Sequence, residues 1–187
     1  MPRADAQRNI DALLAAAKAE FAEQGVDVNV RAIAARAGVG TATLYRHFPL
    51  RSDLIAAVFR REIDACAAAA APLAAAFEPD EALQRWLQRY TEFVATKHGF
   101  AAALHSGDPA FTGLRTYFED QVGPALRTLL DNAVAAGAIR DGADPLDLLG
   151  AVSNLSVPIP GTQDTSRAYR MVALLIDGLR YGARPTN

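Results

Sequence analysis

The sequence predicts an all-α protein, and three observations lead to that fold class. Hydrophobic residues make up 51% of the 187-residue chain, with abundant Ala and Leu and few β-branched runs. Apolar side chains recur three and four positions apart, which is the period of an amphipathic helix. Asp-Pro pairs and single glycines, which are common helix start and stop signals, separate these segments. We therefore expect about nine helices, in a chain long enough for one or two domains.

Two short helices and a turn are predicted within residues 29–48. Asn29 can cap the first helix, because its side-chain oxygen can accept a hydrogen bond from a free backbone N–H. Gly38 suits the left-handed turn that ends this helix. A second helix begins near Thr41 and is stopped by Pro49, which pushes the residue before it out of helical geometry. Helix, glycine-containing turn and helix form a helix-turn-helix.

The other helices follow from the same periodicity and the same end signals. Helix 52–76 links the helix-turn-helix to the rest of the chain. Asp108-Pro109 and Asp144-Pro145 each pair an N-cap residue with a proline in the first helical position. The remaining helices are predicted at residues 4–24, 81–98, 99–104, 109–136, 145–156 and 166–182.

The second helix of the motif carries side chains suited to DNA. Its first residues are small, and such modules insert this end into the major groove. Hydroxyl and guanidinium groups follow, and these are common donors to phosphate oxygens. As a group they favour DNA binding over an ordinary helical surface. The candidate DNA-binding residues are Asn29, Arg31, Thr41, Ala42, Thr43, Tyr45, Arg46, His47 and Arg51.

The stretch AGVGTATLYRHFPLRSDL, residues 37–54, resembles the signature of the TetR family of bacterial regulators. The likeness is specific, because order and spacing match without a gap, and a weaker likeness extends over residues 3–64. The resemblance implies that Tyr45, His47 and Arg51 hold phosphates. It also implies that Thr41, Ala42, Thr43 and Arg46 meet base edges. Gly40 departs from the family pattern, which often has a serine N-cap there.

Charge is distributed unevenly along the chain. Residues 1–61 hold nine Lys/Arg and six Asp/Glu, whereas residues 62–187 hold ten and fifteen. A basic N-terminal part followed by an acidic C-terminal part suits a DNA-binding module attached to a domain that does not itself bind DNA. We predict a helix-turn-helix domain at residues 1–51 and a ligand-binding and dimerisation domain at residues 52–187.

Several other classes of function are disfavoured. Cys66 is the only cysteine, so a disulfide or zinc framework is not expected, and a buried apolar role is favoured over redox sensing. His98, His105 and Asp108 lack the spacing of a metal site, and nothing activates Ser106 as a nucleophile. We expect no enzymatic activity, metal or cofactor. No stretch suggests a signal peptide or a membrane span, so a cytoplasmic protein is expected.

An aromatic cluster in the second half of the chain could form a ligand pocket. Pockets are mostly apolar with a few placed polar groups, and Asn154 could supply one here. The alternative is that these rings form the aromatic core of the domain. The candidate pocket residues are Trp86, Tyr90, Phe93, His105, Phe111, Tyr117, Phe118 and Asn154.

The last two predicted helices, 145–156 and 166–182, carry more apolar surface than one face requires. Such helices are buried on two sides, so we expect a homodimer through them, although both could belong to a monomer core. A two-fold dimer would match a pseudopalindromic operator in double-stranded DNA. Together with the resemblance to the TetR family, these features favour a repressor released by a small-molecule inducer. A constitutive DNA binder without a ligand and a helical small-molecule-binding protein remain alternatives.

Overall fold

The computed structural model describes residues 2–104, 106–157 and 166–181. This part of the chain contains ten α-helices and one 3-10 turn, and it holds no strand. The predicted all-α class is therefore confirmed. The helices are α1 (Pro2–Gln24), α2 (Val30–Arg36), α3 (Thr41–His47), α4 (Arg51–Ala68), α5 (Ala70–Ala76), α6 (Pro79–Gly99), α7 (Ala101–Leu104), α8 (Leu114–Ala135), α9 (Pro145–Leu155) and α10 (Ser166–Tyr181), and the 3-10 turn is Pro109–Phe111.

The chain divides into two compact units, and neither is a single continuous segment. Unit 1 comprises Met1–Arg61 and Thr96–Leu114, and unit 2 comprises Glu62–Ala95 and Arg115–Asn187. The predicted domain division between residues 51 and 52 stays a prediction.

Unit 1 is built on the packing of α1 against α2 and of α2 against α3. Its core is closed by Phe100, whose ring meets Phe21 edge-on at a centroid distance of 5.6 Å and lies 6.3 Å from the ring of Phe59. Aromatic pairs at such distances stabilise a core beyond the area they bury. The other buried side chains include Leu13, Ala17, Ile33, Leu44, Leu54 and Val58.

Unit 2 has a core made by α6, α8, α9 and α10. The inward faces of these helices carry apolar side chains three and four positions apart, as helical periodicity requires. Leu146 at the start of α9 lies over Gly123 of α8, where an added Cβ would lie 3.5 Å from its Cδ2 atom. The buried residues include Leu83, Trp86, Leu87, Val122, Leu126, Leu129, Leu149, Val152, Val172 and Ile176.

The predicted helix 52–76 is divided into α4 and α5, with Ala69 as a turn between them. Pro72 explains the division, because it has no N–H to donate to the carbonyl of the residue four positions earlier. The helix also begins at Arg51, one residue before the predicted start. The Asp53 carboxylate accepts a hydrogen bond of 3.0 Å from the backbone N–H of Leu50, which fixes the first turn.

The predicted helix 109–136 is also interrupted. Asp108 does act as an N-cap, accepting from the N–H of Ala110 at 2.8 Å, but it caps only the 3-10 turn. Gly113 then adopts a φ of +78°, a left-handed conformation that a helix cannot contain. Helix α8 therefore starts at Leu114, and the predicted start at residue 109 is wrong.

Candidate nucleic-acid interface

The turn between α2 and α3 has a well-defined hydrogen-bonding pattern. Gly38 has a φ of +69°, and its N–H donates to the carbonyl of Ala35 at 3.1 Å while that of Val39 donates to Ala34 at 3.0 Å. This pair of bonds is a Schellman motif, which satisfies the last carbonyls of a helix. Gly40 follows as the N-cap of α3, with extended φ and ψ angles. The turn predicted from Gly38 is therefore present.

Helix α2 is fixed at both ends. At its start, the exposed Asn29 accepts a hydrogen bond of 2.9 Å from the backbone N–H of Arg31, so the predicted N-cap is formed. At its end, Arg36 contacts Glu20 of α1 at 3.0 Å and binds Glu23 through both terminal nitrogens. These contacts hold α2 against α1 and leave the side chain of Arg31 exposed.

Helix α3 has one buried and one exposed face. Leu44 and Phe48 are buried in the core of unit 1. Ala42, Tyr45 and Arg46 lie on the opposite face and are exposed, with 51% of Tyr45 open to solvent. The other predicted contacts on this helix are half-buried: Thr41, Thr43 and His47. The exposed face presents a small residue, a phenol and a guanidinium in succession.

Arg51, the first residue of α4, has an intramolecular role in addition to its predicted one. Its guanidinium donates hydrogen bonds to the backbone carbonyls of Val26 and Val28, the second at 2.8 Å. The side chain is half-buried. A phosphate contact by Arg51 stays a prediction, but two of its donor groups are already engaged.

The aromatic cluster of unit 2 is tightly stacked. Trp86 and Tyr90 are nearly parallel at 5.8 Å, and the Phe93 and Phe118 rings stack at the same centroid distance. The Tyr90 ring lies 5.8 Å from Phe93 and 6.1 Å from Phe118. Burial raises the pKa of Tyr90 to about 12. Four of the predicted pocket residues therefore form one contiguous cluster.

The other predicted pocket residues are less closely associated. Tyr117 donates a hydrogen bond of 2.5 Å to Asp64, whereas Asn154 is exposed on α9. Phe111 is half-buried and belongs to unit 1. His105 lies outside the described residues.

Comparison with known families shows what these features belong to. Residues 13–58 match the family of bacterial regulatory proteins named tetR. Residues 78–181, more than half of the chain, match the C-terminal domain of SbtR-like transcriptional regulators. The chain belongs to the TetR family. Its helix-turn-helix is therefore the DNA-binding part of a transcriptional regulator.

Solved structures agree with membership of the TetR family. A TetR regulator from Streptomyces coelicolor is 36% identical, with 91% of this chain and 98% of that chain aligned at a TM-score of 0.78. A TetR regulator from Mycobacterium vanbaalenii is 32% identical, with 96% and 99% aligned at a TM-score of 0.71. RolR, solved in complex with resorcinol, is 20% identical, with 99% and 98% aligned at a TM-score of 0.58. A comparison with curated protein sequences finds no match.

Helices α9 and α10 of this TetR-family chain leave apolar side chains in solvent. Leu146 of α9 is 47% exposed and Leu174 of α10 is 63% exposed, while Leu148 and Ile176 on the inner faces are buried. Each of the two helices thus leaves a large apolar side chain in solvent that its own unit does not cover.

Sequence reasoning missed two polar contacts of this TetR-family chain. Ser153, not Asn154, meets the aromatic cluster, with its hydroxyl 2.8 Å from that of Tyr90. The carbonyl contacts of Arg51 were not foreseen either. Within the described residues, no three metal-ligating side chains converge and no helix is long and apolar enough to cross a membrane.

Proposed function

We propose that this regulator is a repressor that binds a pseudopalindromic operator as a homodimer and is released by a small molecule. The observation that carries the DNA-binding part is the exposed face of α3, where Ala42, Tyr45 and Arg46 lie side by side. A helix presented in this way fits the major groove, and its small N-terminal residues allow close approach to base edges.

Specific contacts follow from the position of each side chain. We assign phosphate contacts to Tyr45 and His47, because a phenol or an imidazole can donate to a phosphate oxygen. Asn29 and Arg31, at the exposed start of α2, would contact the backbone beside them. Base edges would be met by Thr41, Ala42, Thr43 and Arg46. The resemblance to the TetR signature implies the same roles for Tyr45 and His47 at phosphates and for the four residues at base edges.

The homodimer is proposed from the exposed leucines of α9 and α10, Leu146 and Leu174. Burying Leu146 and Leu174 against a second copy would remove apolar surface from water, which is the main driving force of association. A two-fold interface also places two recognition helices for two half-sites about 34 Å apart. The partner proposed for these helices is therefore another copy of this chain.

The ligand part of the proposal is supported by the aromatic cluster of unit 2. Stacked rings beside the hydroxyls of Tyr90 and Ser153 would suit a small, largely apolar molecule with a hydrogen-bonding group. RolR was solved with resorcinol, although its likeness to this chain concerns the fold alone. The close packing of the same rings supports a second candidate, a constitutive DNA binder in which the aromatic cluster is a filled core and binds no ligand.

The proposed role requires no catalysis and no cofactor, and it places the protein in the cytoplasm with the chromosome. The decisive experiment is selection of genomic fragments by the purified protein, followed by sequencing of the bound DNA. Enrichment of one palindromic site supports the proposal, and absence of any enriched site contradicts it.

The two candidates are separated by a ligand screen. Trp86 is the only tryptophan, so its fluorescence reports directly on the cluster. A compound that changes this fluorescence and releases the operator supports the inducible repressor. Compounds that bind without changing operator affinity support the constitutive binder.

A further inference from the structure

Arg51 connects two segments that are distant in sequence. Its Nη1 donates to the carbonyl of Val26 and its Nη2 to the carbonyl of Val28, 25 and 23 residues earlier in the chain. Both carbonyls belong to the loop between α1 and α2. Charge-assisted hydrogen bonds of this kind are about twice as strong as neutral ones.

The loop that Arg51 holds determines where α2 begins. It starts at Gly25, with a φ of +83°, and ends at Asn29, the N-cap of α2. Within it, the N–H of Val28 donates to Gly25 at 3.3 Å, which is a long bond. The guanidinium of Arg51 thus adds two hydrogen bonds from another element to this short loop.

The same side chain lies beside the candidate DNA contacts. Arg51, Asn29 and Tyr45 all line a surface cavity of about 410 Å³ in unit 1. The first turn of α4, which carries Arg51, is itself capped by the hydrogen bond from the Leu50 N–H to the Asp53 carboxylate.

We propose that Arg51 is a positioning residue for DNA binding. It ties the α1–α2 loop to the start of α4 and so holds Asn29 and Arg31 in register with the exposed face of α3. This inference rests on the DNA-binding part of the proposed function. It differs from the direct role implied by the family resemblance, in which the charge of Arg51 is what binds a phosphate.

The side-chain chemistry of arginine allows the two roles to be separated. A planar fork can serve two carbonyls at once, whereas a lysine ammonium is a point donor of equal charge. Arg51→Lys therefore keeps the charge and loses the fork. Arg51→Gln removes both, and Arg46→Ala removes an exposed charge of α3 that has no part in the loop contacts.

The test measures operator affinity as a function of salt, together with hydrogen exchange of the amides of residues 26–31. We expect Arg51→Lys and Arg51→Gln each to weaken binding about tenfold or more. We also expect the slope of log affinity against log salt to stay unchanged and exchange in the loop to rise. Arg46→Ala should leave that exchange as in the wild type.

Two results would overturn the proposal. One is near wild-type affinity for Arg51→Lys with a slope reduced by about 0.9 for Arg51→Gln, as expected for a phosphate contact. The other is unchanged loop exchange in both variants. Failure of the wild type to bind any DNA would contradict the proposed function instead, while the exchange measurement would still test the loop contacts. If Arg51→Gln fails to fold, the Arg51→Lys affinity and exchange data decide.

Discussion

Arg36 holds the carboxylate of Glu23 with both terminal guanidinium nitrogens, through hydrogen bonds of 2.9 and 2.8 Å. The pair joins α2 to α1, and a third bond from Arg36 reaches the nearly buried Glu20. Paired, planar contacts of this type have a defined geometry. The helix that precedes the recognition helix is therefore anchored by charge as well as by its apolar face.

The first prediction concerns acid stability. Hydrogen bonding to Arg36 lowers the pKa of Glu23 in the folded state. A carboxyl group whose pKa is lowered on folding stabilises the fold at pH values above its unfolded pKa, about 4.3. This contribution is lost as pH falls through the pKa of the folded state. We expect Glu23→Gln to lower the melting temperature at pH 7 and to match the wild type more closely at pH 3, measured by thermal unfolding.

The matched control is Glu81→Gln, which removes an exposed i,i+4 pair with Arg85. This pair lies within one helix and contributes little, whereas Arg36 binds both oxygens of Glu23 across two helices, so Glu81→Gln should change the melting temperature less than Glu23→Gln does. A Glu23→Gln deficit that is equal at both pH values would contradict the assigned role of the carboxylate.

A second prediction concerns the single thiol. Cys66 is 2% exposed, and burial raises its pKa to about 12. Since only the thiolate is nucleophilic, we expect no reaction with a disulfide reagent at pH 8 until urea unfolds the protein. Stability should also decrease as pH rises above about 8.5, where the unfolded thiol ionises first.

The control for the thiol is Cys66→Ala, whose stability should decrease less than that of the wild type as pH rises above about 8.5. Rapid labelling of the native wild type at pH 8 would show that the side chain is accessible and would refute the buried assignment.

A third prediction concerns the phenol on the exposed face of α3. Tyr45→Phe should weaken operator binding about tenfold at all sites, because it removes a hydrogen bond to a charged group. The salt slope should not change, since tyrosine is neutral. Thr43→Ala should instead alter the preferred base at one or two positions. Fluorescence anisotropy with a panel of operator variants measures both effects.

Equal affinity of Tyr45→Phe and the wild type would remove Tyr45 from the set of phosphate contacts. An unchanged sequence preference for Thr43→Ala would likewise show that this hydroxyl does not read a base.

A fourth prediction concerns the uncovered side of α10. Leu174→Glu would place a charge in the proposed interface, at a high desolvation cost. We expect the mass measured by light scattering to fall from dimer to monomer. Operator affinity should fall about 100-fold or more as bivalent binding is lost.

Leu50→Glu provides a matched control, because Leu50 is equally exposed, at 61% against 63%, but lies in unit 1. It should leave the mass of the dimer unchanged. A wild type that is monomeric at micromolar concentration would refute the interface.

Features determined by neighbouring residues were predictable from the sequence. The Asn29 cap, the Gly38 turn and the Asp144 cap of α9 all form as expected, because caps and turns depend on a few consecutive residues. The cap signal of Asp108 does not indicate how long the following element is, so the sequence does not show that this element ends at Phe111 and that α8 begins at Leu114.

Features that depend on distant parts of the chain were not predictable. One residue along a helix turns a side chain by about 100°, so choosing between Ser153 and Asn154 required the orientation of α9. Likewise, an arginine that directly follows a helix-turn-helix in the sequence suggests a phosphate contact. Only the fold shows that the carbonyls of Val26 and Val28 lie within reach of Arg51.

The contact between Phe100 and Phe21 has a consequence for protein engineering. Unit 1, which carries the DNA-binding helix-turn-helix, is completed by Thr96–Leu114, a segment that begins 35 residues after the first segment ends at Arg61. A chimaera that exchanges only residues 1–61 between two relatives would pair the Phe21 ring of one parent with the packing partner of the other. Transferring a new operator specificity between relatives therefore requires residues 96–114 to be exchanged together with residues 1–61.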